Sequence, residues 1–88
     1  MPRQKIKIME IEIITPDKKL FKGNIKSVTV PGTKGAFMVL KNHAPIISTL
    51  EKGKILVKTE KLEDKDFDIE SGIIEVKKNK IIILAETV

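Results

Sequence analysis

Apolar and polar residues alternate over short stretches of the chain, and no stretch keeps the spacing of a helix over a full helix length. Turn-forming pairs such as Pro16-Asp17, Gly23-Asn24 and Pro31-Gly32 separate these stretches. The pattern predicts nine strands, at 5–15, 19–21, 25–30, 36–40, 46–50, 54–60, 66–71, 73–77 and 80–86. It favours an all-β fold, a sandwich or barrel of short, mostly antiparallel strands, in a single domain over residues 1–88.

Two places depart from simple alternation. Ile6 and Ile8 occupy even positions, whereas Ile11 and Ile13 occupy odd ones. This change predicts either a bulge near Met9-Glu10 or a loosely held N-terminal extension. Residues 60–66 are the only helix candidate, but the segment is short and polar, so we interpret it as the tip of a hairpin.

Two predicted strands are apolar on both faces. One contains Ile81-Ile82-Ile83-Leu84-Ala85, and the other contains Ile46-Ile47. A strand in a two-layer domain buries only one face, so the second face is expected to contact a partner. We expect Ile82 and Ile46 to be surface members of this apolar patch.

Composition supports strands and excludes several chemistries. Of 88 residues, 27 are β-branched Ile, Val or Thr. There is no cysteine and only one histidine, His43, which excludes disulfides, thiolate sites and multi-histidine metal sites. No apolar run approaches the ~20 residues of a membrane helix. We therefore expect a soluble chain.

A net charge of +5 suggests an acidic partner, and a single-strand nucleic-acid barrel is the alternative that this charge raises. Such barrels stack bases on aromatic side chains. Tyrosine and tryptophan are absent here, and Phe37 and Phe67 lie within apolar alternation. The stacking chemistry is therefore missing, and we expect no nucleic-acid partner.

Other motifs are incomplete. Asp64, Asp66, Asp68 and Glu75 match positions 1, 3, 5 and 12 of a calcium loop, but Ile69 occupies the glycine position. In a strand, Asp66 and Asp68 share a wet face instead. The glycine loop at 31–35 and Gly53-Lys54 lack the serine or threonine and the helix of a phosphate site. Ser48 and Ser71 have no local base pattern. No catalytic, cofactor-binding or metal site is predicted.

His43 lies in the loop Asn42-His43-Ala44-Pro45, between two apolar runs. Its imidazole either hydrogen-bonds nearby backbone or belongs to a recognition loop. This loop opens the segment Leu40-Lys41-Asn42-His43-Ala44-Pro45-Ile46-Ile47-Ser48-Thr49-Leu50. Colinear landmarks are Ile13-Ile14-Thr15-Pro16, Leu20-Phe21-Lys22-Gly23, Val28–Thr33, Gly35-Ala36-Phe37, Lys52-Gly53, Ser71–Val76 and Leu84–Thr87. With them, nearly the whole chain resembles the N-terminal domain of the epsilon subunit of F-type ATP synthases.

The resemblance implies a flattened β-sandwich and a non-catalytic, cofactor-free role in the central stalk of the rotor. It implies the gamma subunit and the ring of c subunits as partners, so that ion-driven rotation is coupled to ATP synthesis. The ring-facing loop corresponds to Thr33, Lys34, Gly35 and Ala36, with the Asn42–Pro45 loop expected close by. The interface with gamma corresponds to Asn42, His43, Ala44, Pro45, Ile46 and Ile82.

The resemblance also implies a peripheral membrane location, on the cytoplasmic face of a bacterial inner membrane or, alternatively, on the stromal face of a thylakoid. Many relatives are acidic where this chain has Ala36, and their Ser-Gly-Gly is Ser71-Gly72-Ile73 here. The sequence ends at Val88, where many relatives continue into a helical hairpin. We therefore expect this polypeptide neither to bind ATP nor to act as an extending inhibitor.

Overall fold

The computed structural model describes residues 8–61 and 63–87, and these form strands without a helix. The strands are β1 (Met9–Ile14), β2 (Lys19–Val30), β3 (Phe37–Val39), β4 (Ile46–Leu50), β5 (Gly53–Thr59), β6 (Asp64–Ile69), β7 (Ser71–Lys77) and β8 (Lys80–Glu86). The all-β prediction is therefore confirmed.

All eight strands belong to one sheet in the order β4-β7-β8-β1-β2-β5-β6, with β3 beside β2. Every pair is antiparallel except β1 with β8, which is parallel. The first half of β2 pairs with β1, and its second half pairs with β3 and β5. A register shift between Ile25 and Ser27 marks the change of partner, where the sheet folds over on itself.

The core lies between the two halves of the folded sheet. Buried side chains come from alternate positions of each strand: Met9, Ile11 and Ile13 of β1, Ile81 and Ile83 of β8, Ile74 and Val76 of β7, and, from the other half, Val28, Val30, Val39, Ile55, Val57 and Ile69. Removing this much branched aliphatic surface from water is the main stabilisation available to so small a domain.

Three local predictions are corrected. Nine strands were expected, but the predicted strands 19–21 and 25–30 are one strand, because Gly23 and Asn24 pair with Ile11 and Glu10 instead of forming a turn. The bulge expected near Met9-Glu10 is absent from the described residues, since β1 alternates regularly from Met9; its register with β2 shifts between Ile13 and Ile14. The alternative, an N-terminal extension at 1–7, lies outside the described residues.

The last correction concerns β4. Ile46 was expected at the surface, but it packs against the core, and its neighbour Ile47 is 72% exposed instead. By contrast, the hairpin tip predicted at 60–66 is confirmed for the residues described: Glu60 and Lys61 form a turn, and β6 begins at Asp64.

Candidate functional site

The Asn42–Pro45 loop is held in a defined shape at one end of the sheet. A turn places the His43 N–H 3.2 Å from the Leu40 carbonyl oxygen, and Asn42 adopts a positive φ of 65°. The His43 Nδ1 lies 2.7 Å from the Ala44 carbonyl oxygen. Because a carbonyl only accepts, this contact requires a proton on Nδ1. In the neutral ring, Nε2 is therefore the atom that can accept a hydrogen bond from a partner.

The 31–36 loop is fixed at the opposite end. Thr33 donates its N–H to the Thr49 carbonyl oxygen at 3.1 Å, and the two threonine hydroxyls are 2.8 Å apart. Gly35 donates to the Gly32 carbonyl oxygen at 2.9 Å and has a φ of 124°, a value that favours glycine. The predicted site residues Thr33, Lys34, Gly35 and Ala36 are all exposed.

The two loops lie at opposite ends of β4. The 42–45 loop precedes the first residue of β4, Ile46, whereas the 31–33 segment bonds to Thr49 and bridges to Leu50 at the end of that strand. The strand of 5 residues separates them by roughly 13 Å at the usual rise of a strand. The domain therefore presents two separate shaped loops, one at each end of β4.

An apolar surface covers the outer face of the half-sheet between these loops. Thr49, Ile73, Leu84 and Ile14 form one row across β4, β7, β8 and β1. The neighbouring row is Ile47, Glu75, Ile82 and Glu12. We call the five apolar members the outer apolar patch: Ile14, Ile47, Ile73, Ile82 and Leu84.

Exposure differs within the outer apolar patch. Ile47, Ile73 and Leu84 are exposed, whereas Ile14 and Ile82 are half-buried. Sequence reasoning found Ile82 and the second apolar face of its strand, but it missed Ile14 and Ile73. Alternation could have identified both. Ile14 follows the buried Ile13 and Ile73 precedes the buried Ile74, and successive side chains of a strand point to opposite faces.

The other outer face is smaller and bordered by charge pairs. Met38 and Leu56 flank Thr29 across β3, β2 and β5, and both are exposed. Beside them, Lys54 contacts Asp68 at 2.9 Å and Lys58 contacts Asp64 at 3.8 Å. This face therefore offers two apolar side chains within a surface of paired charges.

In each of two ion pairs, the pKa of one of the two residues is shifted. Lys19 Nζ lies 2.8 Å from Glu12 Oε2, and this hydrogen bond lowers the pKa of Glu12, helped by the charges of Lys19, Lys22 and Lys80. Asp68 likewise raises the pKa of Lys54, through its hydrogen bond first and its charge second. Glu12 lies at the border of the outer apolar patch, so the patch is flanked there by a paired charge.

The acidic stretch forms no metal cluster among residues 8–61 and 63–87. Asp66, Asp68 and Glu70 are exposed, while Phe67 is half-buried and Ile69 is buried. This confirms the strand interpretation of that sequence. The Ser48 hydroxyl hydrogen-bonds the Thr49 carbonyl oxygen at 3.3 Å.

The folded-over sheet places the chain among small β-sandwich proteins. Residues 8–88 match the family described as ATP synthase, Delta/Epsilon chain, beta-sandwich domain. The ATP synthase epsilon chain of Chlorobium limicola is 39% identical over 82 residues, which cover 93% of each chain. The chain therefore belongs to this family, among the epsilon chains.

Solved structures share the fold. A chain of the Euglena gracilis mitochondrial ATP synthase, described as OSCP/F1/c-ring, superposes with a TM-score of 0.85 at 16% identity over 94% of this chain and 53% of that one. A chain of the Tetrahymena thermophila enzyme, described as central stalk/c-ring, gives 0.74 at 20% identity over 96% and 66%. These likenesses concern the fold.

The family assignment confirms the resemblance found in the sequence. As an epsilon chain, the protein is a non-catalytic subunit of ATP synthase. Among the described residues, no helix has both the length and the apolar character needed to cross a membrane.

Proposed function

We propose that this chain is a rotor subunit of the central stalk of an F-type ATP synthase, where it bridges the gamma subunit and the c ring. In this role it couples ion-driven rotation to ATP synthesis. The observation that carries the proposal is the row Ile73, Leu84 and Ile14 on the outer face of the sheet. An apolar row of this kind, exposed at Ile73 and Leu84, is typical of a protein interface, because its contact with water is unfavourable.

The gamma subunit is proposed to cover the outer apolar patch and the adjoining loop of Asn42, His43, Ala44 and Pro45. Ile47 joins the two, because it is exposed and is the second residue of β4, which begins directly after that loop. Of the interface residues expected from sequence, Ile82 belongs to the patch. Ile46 supports it from the core side.

The c ring is proposed to contact Thr33, Lys34, Gly35 and Ala36 at the opposite end. All four are exposed, and hydrogen bonds to Thr49 and Gly32 fix the loop. Lys34 makes the loop basic, so an acidic or carbonyl-rich partner surface fits it. The bridging role suits a domain whose two loops lie at opposite ends of β4, because each loop can then bind a different partner.

The assembled rotor would place this chain beside the membrane without entering it. We propose a location on the cytoplasmic face of a bacterial inner membrane, with the thylakoid stromal face as the organellar alternative. The relatives include an epsilon chain from Chlorobium limicola, which favours the bacterial location.

Co-purification tests the proposal. The tagged chain is mixed with recombinant gamma subunit and detergent-solubilised c ring from the same organism, and complexes are resolved by size. A stoichiometric complex of this chain with gamma, and a larger one with the c ring, is expected. Binding to single-stranded oligonucleotides at physiological salt, with none to gamma, would support the nucleic-acid alternative instead.

A further inference from the structure

Two asparagines 37 positions apart join the Asn42–Pro45 loop to the β7–β8 turn. The backbone N–H of Asn42 donates to Asn79 Oδ1 at 2.6 Å, and Asn79 Nδ2 donates to Asn42 Oδ1 at 3.3 Å. We call this reciprocal pair the asparagine clasp. It is the direct hydrogen-bonded link between the two segments in the part of the chain that the structure describes.

The backbone at both asparagines suits this pairing. Asn42 and Asn79 have positive φ angles of 65° and 62°, in the left-handed region that asparagine tolerates better than most residues. Lys78 is also positive, at 50°, so Lys78-Asn79 form the two central residues of a hairpin turn whose twist suits β7 and β8. The turn is thus rigidly placed by the two strands that it joins.

Asn79 is anchored independently of the loop. Its carbonyl oxygen accepts the Glu10 N–H at 2.9 Å, which attaches the turn to the start of β1. The 42–45 loop has fewer supports of its own, because Asn42, Ala44 and Pro45 are exposed and the flanking strand β3 has only 3 residues. The side chain of Asn79 therefore links an exposed loop to a turn that is attached to β1, β7 and β8.

We infer that Asn79 is a positioning residue for partner binding: its amide holds the Asn42–Pro45 loop in the conformation that docks on the partner. The inference rests on the proposed function, in which this loop meets the gamma subunit. Asn79 acts through Asn42 and through the loop geometry that places the His43 ring. Fixing the loop before binding reduces the ordering cost of association.

Asn79→Gly tests the clasp, because glycine keeps the positive φ and the backbone carbonyl while removing the amide. Lys78→Gly is the matched control in the same turn, at a similar φ. We expect hydrogen exchange of the Asn42 amide to accelerate about 2- to 10-fold in Asn79→Gly, the range of one net hydrogen bond, and to stay unchanged in Lys78→Gly. Affinity for recombinant gamma should fall over the same range, with the unfolding midpoint near that of the wild type.

One further variant separates positioning from a general structural role. Asn79→Asp keeps the acceptor for the Asn42 N–H but cannot donate to Asn42 Oδ1. Its exchange protection at Asn42 and its affinity for gamma should therefore lie between those of Asn79→Gly and the wild type. An unchanged affinity in Asn79→Gly despite faster exchange at Asn42, or an Asn79→Asp variant that binds as weakly as Asn79→Gly, would overturn the inference and leave the proposed function standing. Absence of gamma binding by the wild type would overturn both.

Discussion

Ile73 and Leu84 lie directly opposite each other on β7 and β8, and both side chains face outward, 46% and 53% exposed. The adjacent pair on these strands, Ile74 opposite Ile83, faces the core and is fully buried. The same two strands therefore supply the core with one face and the outer apolar patch with the other. This relationship makes the patch separable from the core by mutation.

Leu84→Asp is predicted to weaken binding to the gamma subunit by about 10-fold or more, because an interface that covers the patch would have to desolvate the new carboxylate. The matched control is Leu56→Asp, which changes the same residue type at 48% exposure on the opposite outer face. Titration calorimetry with recombinant gamma measures both. Equal losses for the two variants would show that the interface does not lie on the outer apolar patch.

Alternation in the sequence was sufficient to predict most strands. It failed at Gly23-Asn24, where turn-forming residues continue β2 because β1 pairs with both. It also failed at Ile46-Ile47, since two adjacent isoleucines give no indication of which one faces inward. The register of β4 with β7, which pairs Ile47 with Glu75 in an outward row, decides this.

The candidate site, like the fold, was predicted only in part from the sequence. The loop around His43 and the 31–36 loop that is expected to face the c ring were singled out through the resemblance, and the apolar strand through its composition. The clasp between Asn42 and Asn79 was not found. It depends on a contact across 37 positions that only the pairing of β4, β7 and β8 creates. Local patterns carry no information about which distant turns share one end of a sheet.

Ile46 and Ile47 provide a second test, because they are adjacent and face opposite sides of β4. Ile46→Asp is predicted to destabilise the fold by about 2 kcal/mol or more, since Ile46 packs against the core. Ile47→Asp should change stability by no more than about 0.5 kcal/mol, because Ile47 is 72% exposed. Urea unfolding followed by circular dichroism gives both values. The reverse order would mean that the register of β4 is shifted by one residue.

Gly72 lies where three strands come together. A Cβ atom there would be 2.8 Å from the Leu84 carbonyl oxygen, a backbone atom of the paired strand. Gly72→Ala is therefore predicted to cost about 1–3 kcal/mol, because β7 and β8 must separate to admit the methyl group. Gly23→Ala is the control within a strand: its nearest neighbour is the tip of the Phe21 ring at 3.2 Å, which can move. Chemical unfolding should show a clearly smaller loss for Gly23→Ala, and comparable losses would argue against the close approach at Gly72.

The pair of Glu12 and Lys19 predicts a dependence of stability on pH. Its hydrogen bond lowers the pKa of Glu12 in the folded chain below the unfolded value. The ionised carboxylate therefore stabilises the fold above its unfolded pKa, and this contribution is lost as the pH falls through the folded pKa. Glu12→Gln should be less stable than the wild type at pH 7, and the difference should shrink steadily in acid.

Glu75→Gln, in the same outward row, is the control and should show a smaller difference at pH 7. Urea unfolding between pH 7 and pH 3 measures the series, and a difference for Glu12→Gln that grew as the pH fell would contradict the assigned ion pair.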